Sequence, residues 1–150
     1  NGHENDINVT QTGNENVAIV QASEVDNTLE TSDNEIALTQ TGHENDAIVN
    51  MSSILDSNEN TVDILQRGDL NSLDILIEGS NHTIDIAQLG NENIVAGADG
   101  GAMLIGGTGV DLSKIQDGNG NFIKGSVISD MGSISISQVG DWNTATIVQQ

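Results

Sequence analysis

The sequence predicts an all-β fold, a β-solenoid in which strand–arc–strand repeats stack with their strands parallel and in register. Three observations predict it. A motif Gln-x-Gly-x-x-Asn occurs six times, apolar residues recur at every second position on either side of the copies with mixed, often polar residues between them, and none of the 150 residues is proline. Proline would remove a donor from a ladder, so nothing in the chain forbids long β-pairing.

The motif comes first in the argument because an internal repeat decides the architecture. Its copies are Gln11-Gly13-Asn16, Gln40-Gly42-Asn45, Gln66-Gly68-Asn71, Gln88-Gly90-Asn93, Gln116-Gly118-Asn121 and Gln138-Gly140-Asn143. The steps from Gln66 to Gln88 and from Gln116 to Gln138 are 22 residues, and the others are 29, 26 and 28. The longer steps read as loop insertions in a 22-residue unit.

Each unit divides into two halves of 11 residues, with paired positions spaced by two, of which twenty in 22 are apolar. Those pairs are Ile7 and Val9, Ala18 and Val20, Ile36 and Leu38, Ala47 and Val49, Val62 and Ile64, Leu73 and Ile75, Ile84 and Ile86, Val95 and Gly97, Ile123 and Gly125, Ile134 and Ile136, and Ala145 and Ile147. Period-two alternation marks a half-buried strand. Ile, Val and Thr suit one. A one-residue slip would bury Asp63, Asp74 and Asp85 and expose the aliphatics, so register is strongly specified.

Four-residue arcs at 12–15, 41–44, 67–70, 89–92, 117–120 and 139–142 join the two strands of each unit. Gly13, Gly42, Gly68, Gly90, Gly118 and Gly140 hold their second position, where positive φ is expected. Connections between units vary. Residues 78–81 and 128–131 again give four, 23–33 and 52–59 give longer loops, and about 97–112 reads as an irregular Gly-rich insertion in one solenoid domain spanning 1–150.

One unit has too narrow an apolar face to be stable alone, so units must stack. Equivalent strands then pair at roughly 4.8 Å and six rungs rise about 29 Å. The stack would place Gln11, Asn16, Gln40, Asn45, Gln66, Asn71, Gln88, Asn93, Gln116, Asn121, Gln138, Asn143 and Gln149 in amide ladders, each side chain donating to its equivalent in the next rung. A buried amide without a partner costs a few kcal/mol, which makes the recurrence a register device.

The motif is most complete in 138–149, which reads Gln138-Val-Gly-Asp-Trp-Asn143-Thr-Ala145-Thr-Ile-Val-Gln149. This resembles the curlin repeat of bacterial curli subunits, and the resemblance covers nearly the whole chain as about six units. Ala22, Met51, Ile77 and Val127 stand where that pattern closes its second strand with Gln. The resemblance implies a subunit secreted through an outer-membrane pore and polymerised, with a nucleator subunit, into extracellular functional-amyloid fibres for biofilm matrix and adhesion. No charged-then-apolar leader precedes Asn1, so an export signal is expected to have been removed.

Composition excludes other classes. Asp and Glu total 23 against 3 for Lys and Arg, a net charge of −20, which excludes a phosphate-neutralising surface for nucleic acid. No apolar run approaches the roughly 20 residues of a membrane helix, so no membrane insertion is expected. Absence of cysteine removes disulfides and thiolate chemistry. Phe122 and Trp142 are the only aromatics besides the histidines, so the core must be aliphatic.

No nucleophile–base set or carboxylate pair stands out of the repeats, so no catalytic residue, metal or cofactor is expected. His3, His43 and His82 lack ligand spacing and read as solvated arc residues. Gly106-Gly-Thr-Gly-Val-Asp111 resembles one copy of a calcium-binding β-roll repeat without a second copy, and reads as a flexible loop. Arg67, Lys114 and Lys124 are expected to relieve the acidic surface locally.

The expected fibre forms head to tail, since neither end of the chain shows a polar cap. Acidic residues aligned between rungs repel by roughly 1 kcal/mol per pair, so assembly is expected to quicken in mild acid, in salt or with divalent cations. A monomeric β-solenoid adhesin or binding module for calcium, polysaccharide or ice is the alternative, and would need divergent ends and a regular outward Thr row.

Overall fold

A computed structural model describes residues 4–22, 29–51 and 55–150. Alternating sequence becomes thirteen strands, numbered in chain order, with no helix among the described residues. One sheet takes β1 (Asp6–Asn14), β3 (Glu35–His43), β5 (Thr61–Arg67), β7 (Thr83–Leu89), β10 (Asp111–Asp117) and β12 (Ser133–Val139), in that order. The other takes β2 (Val17–Ala22), β4 (Asp46–Met51), β6 (Ser72–Ser80), β8 (Ile94–Ala96) with β9 (Met103–Thr108), β11 (Phe122–Asp130) and β13 (Thr144–Gln149). Every pairing is parallel. The chain is thus a β-solenoid of six layers, the first made by β1 and β2 and the sixth by β12 and β13.

Register follows the repeat. Gln11, Gln40, Gln66, Gln88, Gln116 and Gln138 are direct partners along the first sheet. Inward residues of the two sheets make a dry aliphatic core, in which Ile36, Ile64, Ile75, Ile86 and Leu112 are buried. Burying an Ile or Leu side chain contributes roughly 1.5–3 kcal/mol, and the core runs without a break through the middle layers. Inward residues of the first layer stay open, with Ile7 42% and Val9 41% exposed against 1% for Ile36 and Leu38 one layer up.

Residues 97–112 are more regular than their glycine content suggests. Only the segment 97–102 leaves the stack, as a tight turn closed by Gly97 N–H donating to Gly101 O at 2.6 Å and Gly100 N–H to Gly97 O at 3.1 Å. The strand then resumes as β9, where Met103 pairs with Ile75 and Ile105 with Ile77. Met103, not Gly97, therefore fills the inward position. The calcium-like segment is also ordered, because Gly106–Thr108 lies within β9, Val110 is buried and Asp111 opens β10.

Of the two longer loops, residues 23–28 and 52–54 lie outside the described set. The described parts stack on one another: Ser57 N–H donates to Glu30 O at 2.9 Å, Glu59 N–H to Ser32 O at 3.0 Å and Asn34 Nδ2 to Ser57 O at 2.8 Å.

Candidate functional site

Four columns of side chains position the edges and ends of the stack. Glutamines run toward the later layers: Gln11 Nε2 donates to Gln40 Oε1 at 2.7 Å, Gln40 to Gln66 and Gln66 to Gln88 at 2.8 Å, Gln88 to Gln116 at 3.0 Å and Gln116 to Gln138 at 3.1 Å. The second amide hydrogen goes to a backbone carbonyl across the layer, as from Gln88 Nε2 to Asn93 O at 2.9 Å. Gln138, in the last layer, donates to Phe122 O at 3.3 Å.

The asparagines run the other way. Asn71 donates both its backbone N–H, at 3.1 Å, and its Nδ2, at 2.9 Å, to Asn45 Oδ1, and sends its other Nδ2 hydrogen to Gly90 O at 2.8 Å. Asn45 binds Asn16 in this way, Asn93 binds Asn71, Asn121 binds Asn93 and Asn143 binds Asn121. A backbone N–H requires an oxygen opposite it, so the orientation of each Asn amide is fixed. Gln149 stands apart from both ladders: it pairs with Val127 in register and its Nε2 donates to Ser129 Oγ at 3.2 Å. Its column is otherwise Ala22, Met51, Ile77, Ile105 and Val127, an apolar one.

Arc glycines form the third column, with φ of 115° at Gly13, 128° at Gly42, 119° at Gly68, 107° at Gly90, 132° at Gly118 and 99° at Gly140. A Cβ on any of the first five would land on the carbonyl oxygen of the next glycine up. The fourth arc residue is also left-handed, at φ 58° for Glu15, 54° for Glu44, 59° for Leu70, 58° for Glu92, 64° for Gly120 and 59° for Trp142.

The fourth column occupies the opposite edge and reads Asn5, Asn34, Asn60, His82, Val110 and Gly132. His82 is a buried member of it, 1% exposed, which corrects its reading as a solvated arc residue. Its N–H donates to Asn60 Oδ1 at 2.8 Å, and its Nδ1 accepts from Val110 N–H at 3.1 Å as an Asn Oδ1 would. Burial holds the imidazole below its ordinary pKa, against an opposing bond to the Glu78 carbonyl. His43 lies in an exposed arc on the other edge, 3.3 Å from Asn14 Nδ2, and His3 lies outside the described residues. No group of three or more potential metal ligands comes together among the described residues.

Lys114 requires the largest correction. It is not at the surface: it takes the inward position between Ile86 and Ile136 and is fully buried. The half-repeat Leu112-x-Lys114 is an inward pair that polarity alone conceals. Opposite it, Gly125 falls in the column of Ile75, Met103 and Ile147 and leaves the volume that the lysine fills. The ammonium's nearest polar partner is Met103 Sδ. Burial lowers the amine to about 7. Lys124 faces outward, 5.8 Å from the Phe122 ring centre.

The family model of the curlin associated repeat matches residues 58–90, which run from the end of the second inter-unit loop through β5, β6 and β7. That stretch is similar to a curlin repeat, which supports the curlin-repeat family. No curated protein and no solved structure matches the chain. The matched segment holds one full copy of the Gln-Gly-Asn motif, Gln66-Gly68-Asn71, and the start of the next at Gln88-Gly90, and sits over the buried middle of the stack. The curlin repeat and the stacked parallel strands point to a structural, non-enzymatic protein.

Proposed function

We propose that the chain is a subunit of an extracellular curli-like amyloid fibre, self-assembling head to tail through its end layers to build biofilm matrix and mediate adhesion. Export through an outer-membrane pore and initiation by a nucleator subunit belong to this reading and rest on the family resemblance alone.

The observation that carries the reading is the match between the two ends. The first layer leaves its inward residues Ile7 and Val9 uncovered, and the ladders have a fixed direction. A second copy laid on the sixth layer in the same orientation would meet Gln138 Nε2 with Gln11 Oε1, and Asn143 Oδ1 with Asn16 N–H. A copy laid upside down would set amide donors against donors, which leaves several buried groups without partners at about 1–3 kcal/mol each. Such an open, one-directional contact produces a filament rather than a closed dimer.

Electron micrographs of the purified chain, with fibre diffraction, test this. Filaments with a meridional reflection near 4.8 Å and an axial rise of about 29 Å per subunit are expected. Compact monomers that persist at high concentration would sink the proposal.

A further inference from the structure

The fourth and fifth layers are joined differently from the others. On one edge the asparagine column gives way to His82, whose imidazole bridges the two layers by accepting the Val110 N–H at 3.1 Å. Its Nε2 lies 3.3 Å from Glu78 O, so the neutral ring protonated on Nε2 satisfies both contacts. In the core, Lys114 of the fifth layer reaches across to Met103 of the fourth. Between these bridges β11 pairs with β8 at Phe122, Ile123 and Lys124 and with β9 from Ser126 to Asp130, so the second sheet crosses the joint and the two side chains are what set it apart.

We propose that this junction is a proton-operated seam, closed when His82 and Lys114 are neutral and opened when they are protonated. The chemistry of each bridge supports it. A second proton on His82 turns Nδ1 into a donor aimed at the Val110 donor, so one bond between layers is lost and a repulsion replaces it. A proton on Lys114 places an ammonium among Ile86 and Ile136 along its own sheet and Gly125 and Met103 across from it, where no carboxylate of the described residues is seen to pair with it. The charged residues of the surrounding strands, Asp85 on β7, Asp111 and Asp117 on β10, and Lys124 and Asp130 on β11, occupy outward or edge positions. Near His82, the Glu78 carboxylate accepts the Leu55 N–H at 2.8 Å, Asn60 is neutral and Asp111 is exposed.

The signs agree. Both bases are lowered on folding, so each stabilises the closed seam fully above its ordinary pKa and less as pH falls. The loss from Lys114 runs from about 10.5 down to about 7, where the folded amine itself takes a proton. The loss from His82 begins near 6.5 and continues below it.

Hydrogen exchange by mass spectrometry on the full chain tests the seam, at about pH 8 and about pH 5.5 with rates corrected for intrinsic exchange. Protection over layers five and six is expected to fall at least about tenfold more than protection over layers two to four. The double variant His82→Asn with Lys114→Met, which restores the amide acceptor and removes the amine, is expected to lose that difference. Uniform loss in the natural chain, or the same differential loss in the double variant, would overturn the proposal. Carbon NMR of lysine-labelled natural protein gives a second readout that needs no variant, because the chain has two lysines, Lys114 and Lys124. The Lys114 ε-carbon is expected to titrate near 7, and the absence of any ε-carbon titrating there would equally refute the seam. Both measurements read one chain's own layers and stand apart from whether its ends stack.

Discussion

Asn71 carries six hydrogen bonds, three donated to Asn45 and Gly90, two received by its side chain from Asn93 and one received by its backbone carbonyl from Asp46 N–H, and it is fully buried. Removing its side chain leaves the Asn93 N–H and Nδ2 without their acceptor and Gly90 O without its donor, while Asn45 Oδ1 keeps the backbone N–H of residue 71. Asn71→Ala is therefore expected to lower stability by about 2–4 kcal/mol in denaturant titrations. Asn143→Ala, whose residue is bonded from one side only, is expected to lose about 1 kcal/mol. Equal losses at the two positions would mean that the ladder does not act through its neighbours. Acidic residues on the outer face behave in the opposite sense. Asp74 is held above its ordinary pKa, first by burial and then by the Asp46 charge, and neither Asp46 Oδ1 nor Asp74 Oδ1 has a partner. An acid raised in the fold destabilises it once pH exceeds the ordinary carboxylate value. Asp74→Asn is expected to raise the melting midpoint at neutral pH by about 2 °C, and to have no effect near pH 3.

Arcs show how an element selects residues by two separate rules. At Gly68, φ is 119° and a Cβ would land on the Gly90 carbonyl, so Gly68→Ala is expected to cost about 3 kcal/mol or more in thermal or chemical denaturation. Two positions on, Leu70 is at φ 59° and half exposed. That conformation costs a side chain roughly 1–2 kcal/mol, of which glycine's greater unfolded freedom would return about half. Leu70→Gly is accordingly expected to stabilise the chain by about 0.5–1 kcal/mol. The first rule was legible because glycine alone obeys it and therefore recurs, whereas Glu, Leu and Trp at the second position conceal a shared backbone shape. Stacking itself was legible for the same reason, since equal spacing of Gln and Asn leaves parallel pairing in register as the arrangement that aligns them. Lys114 was not, because residue type assigns lysine to solvent, and only its place two residues before Gln116 marks it as inward. His82 was hidden in the same way, at the position where Asn34 and Asn60 stand. Glycine content likewise masked β9, although Met103 and Ile105 keep the alternation there.

At the scale of the molecule, charge and end geometry act on different surfaces. Like charges line up along the flank, as Asp63 does with Asp85, while the sixth layer carries a single acid, Asp141. A joint between the sixth layer of one copy and the first of the next therefore opposes Glu4, Asp6 and Glu15 with little negative charge. Salt is then expected to speed assembly by screening the flanks of approaching copies, and acid has a divided effect, since it neutralises the flanks while opening the seam at His82 and Lys114. The joint itself is best probed from inside. Val9 is 41% exposed in the first layer, so Val9→Lys leaves its charge in water in the single chain and is expected to change the melting midpoint by under about 2 °C. Stacked on a second copy, the same ammonium would close over the column of Ile136 with no carboxylate nearby, at several kcal/mol per joint. Filament growth, followed by light scattering and microscopy, is expected to fall at least about a hundredfold, because each 1.4 kcal/mol is a factor of ten in the association constant. Growth of Val9→Lys at the natural rate would place the contact between copies somewhere other than the open layers, and would leave the ladder polarity a property of the single chain alone.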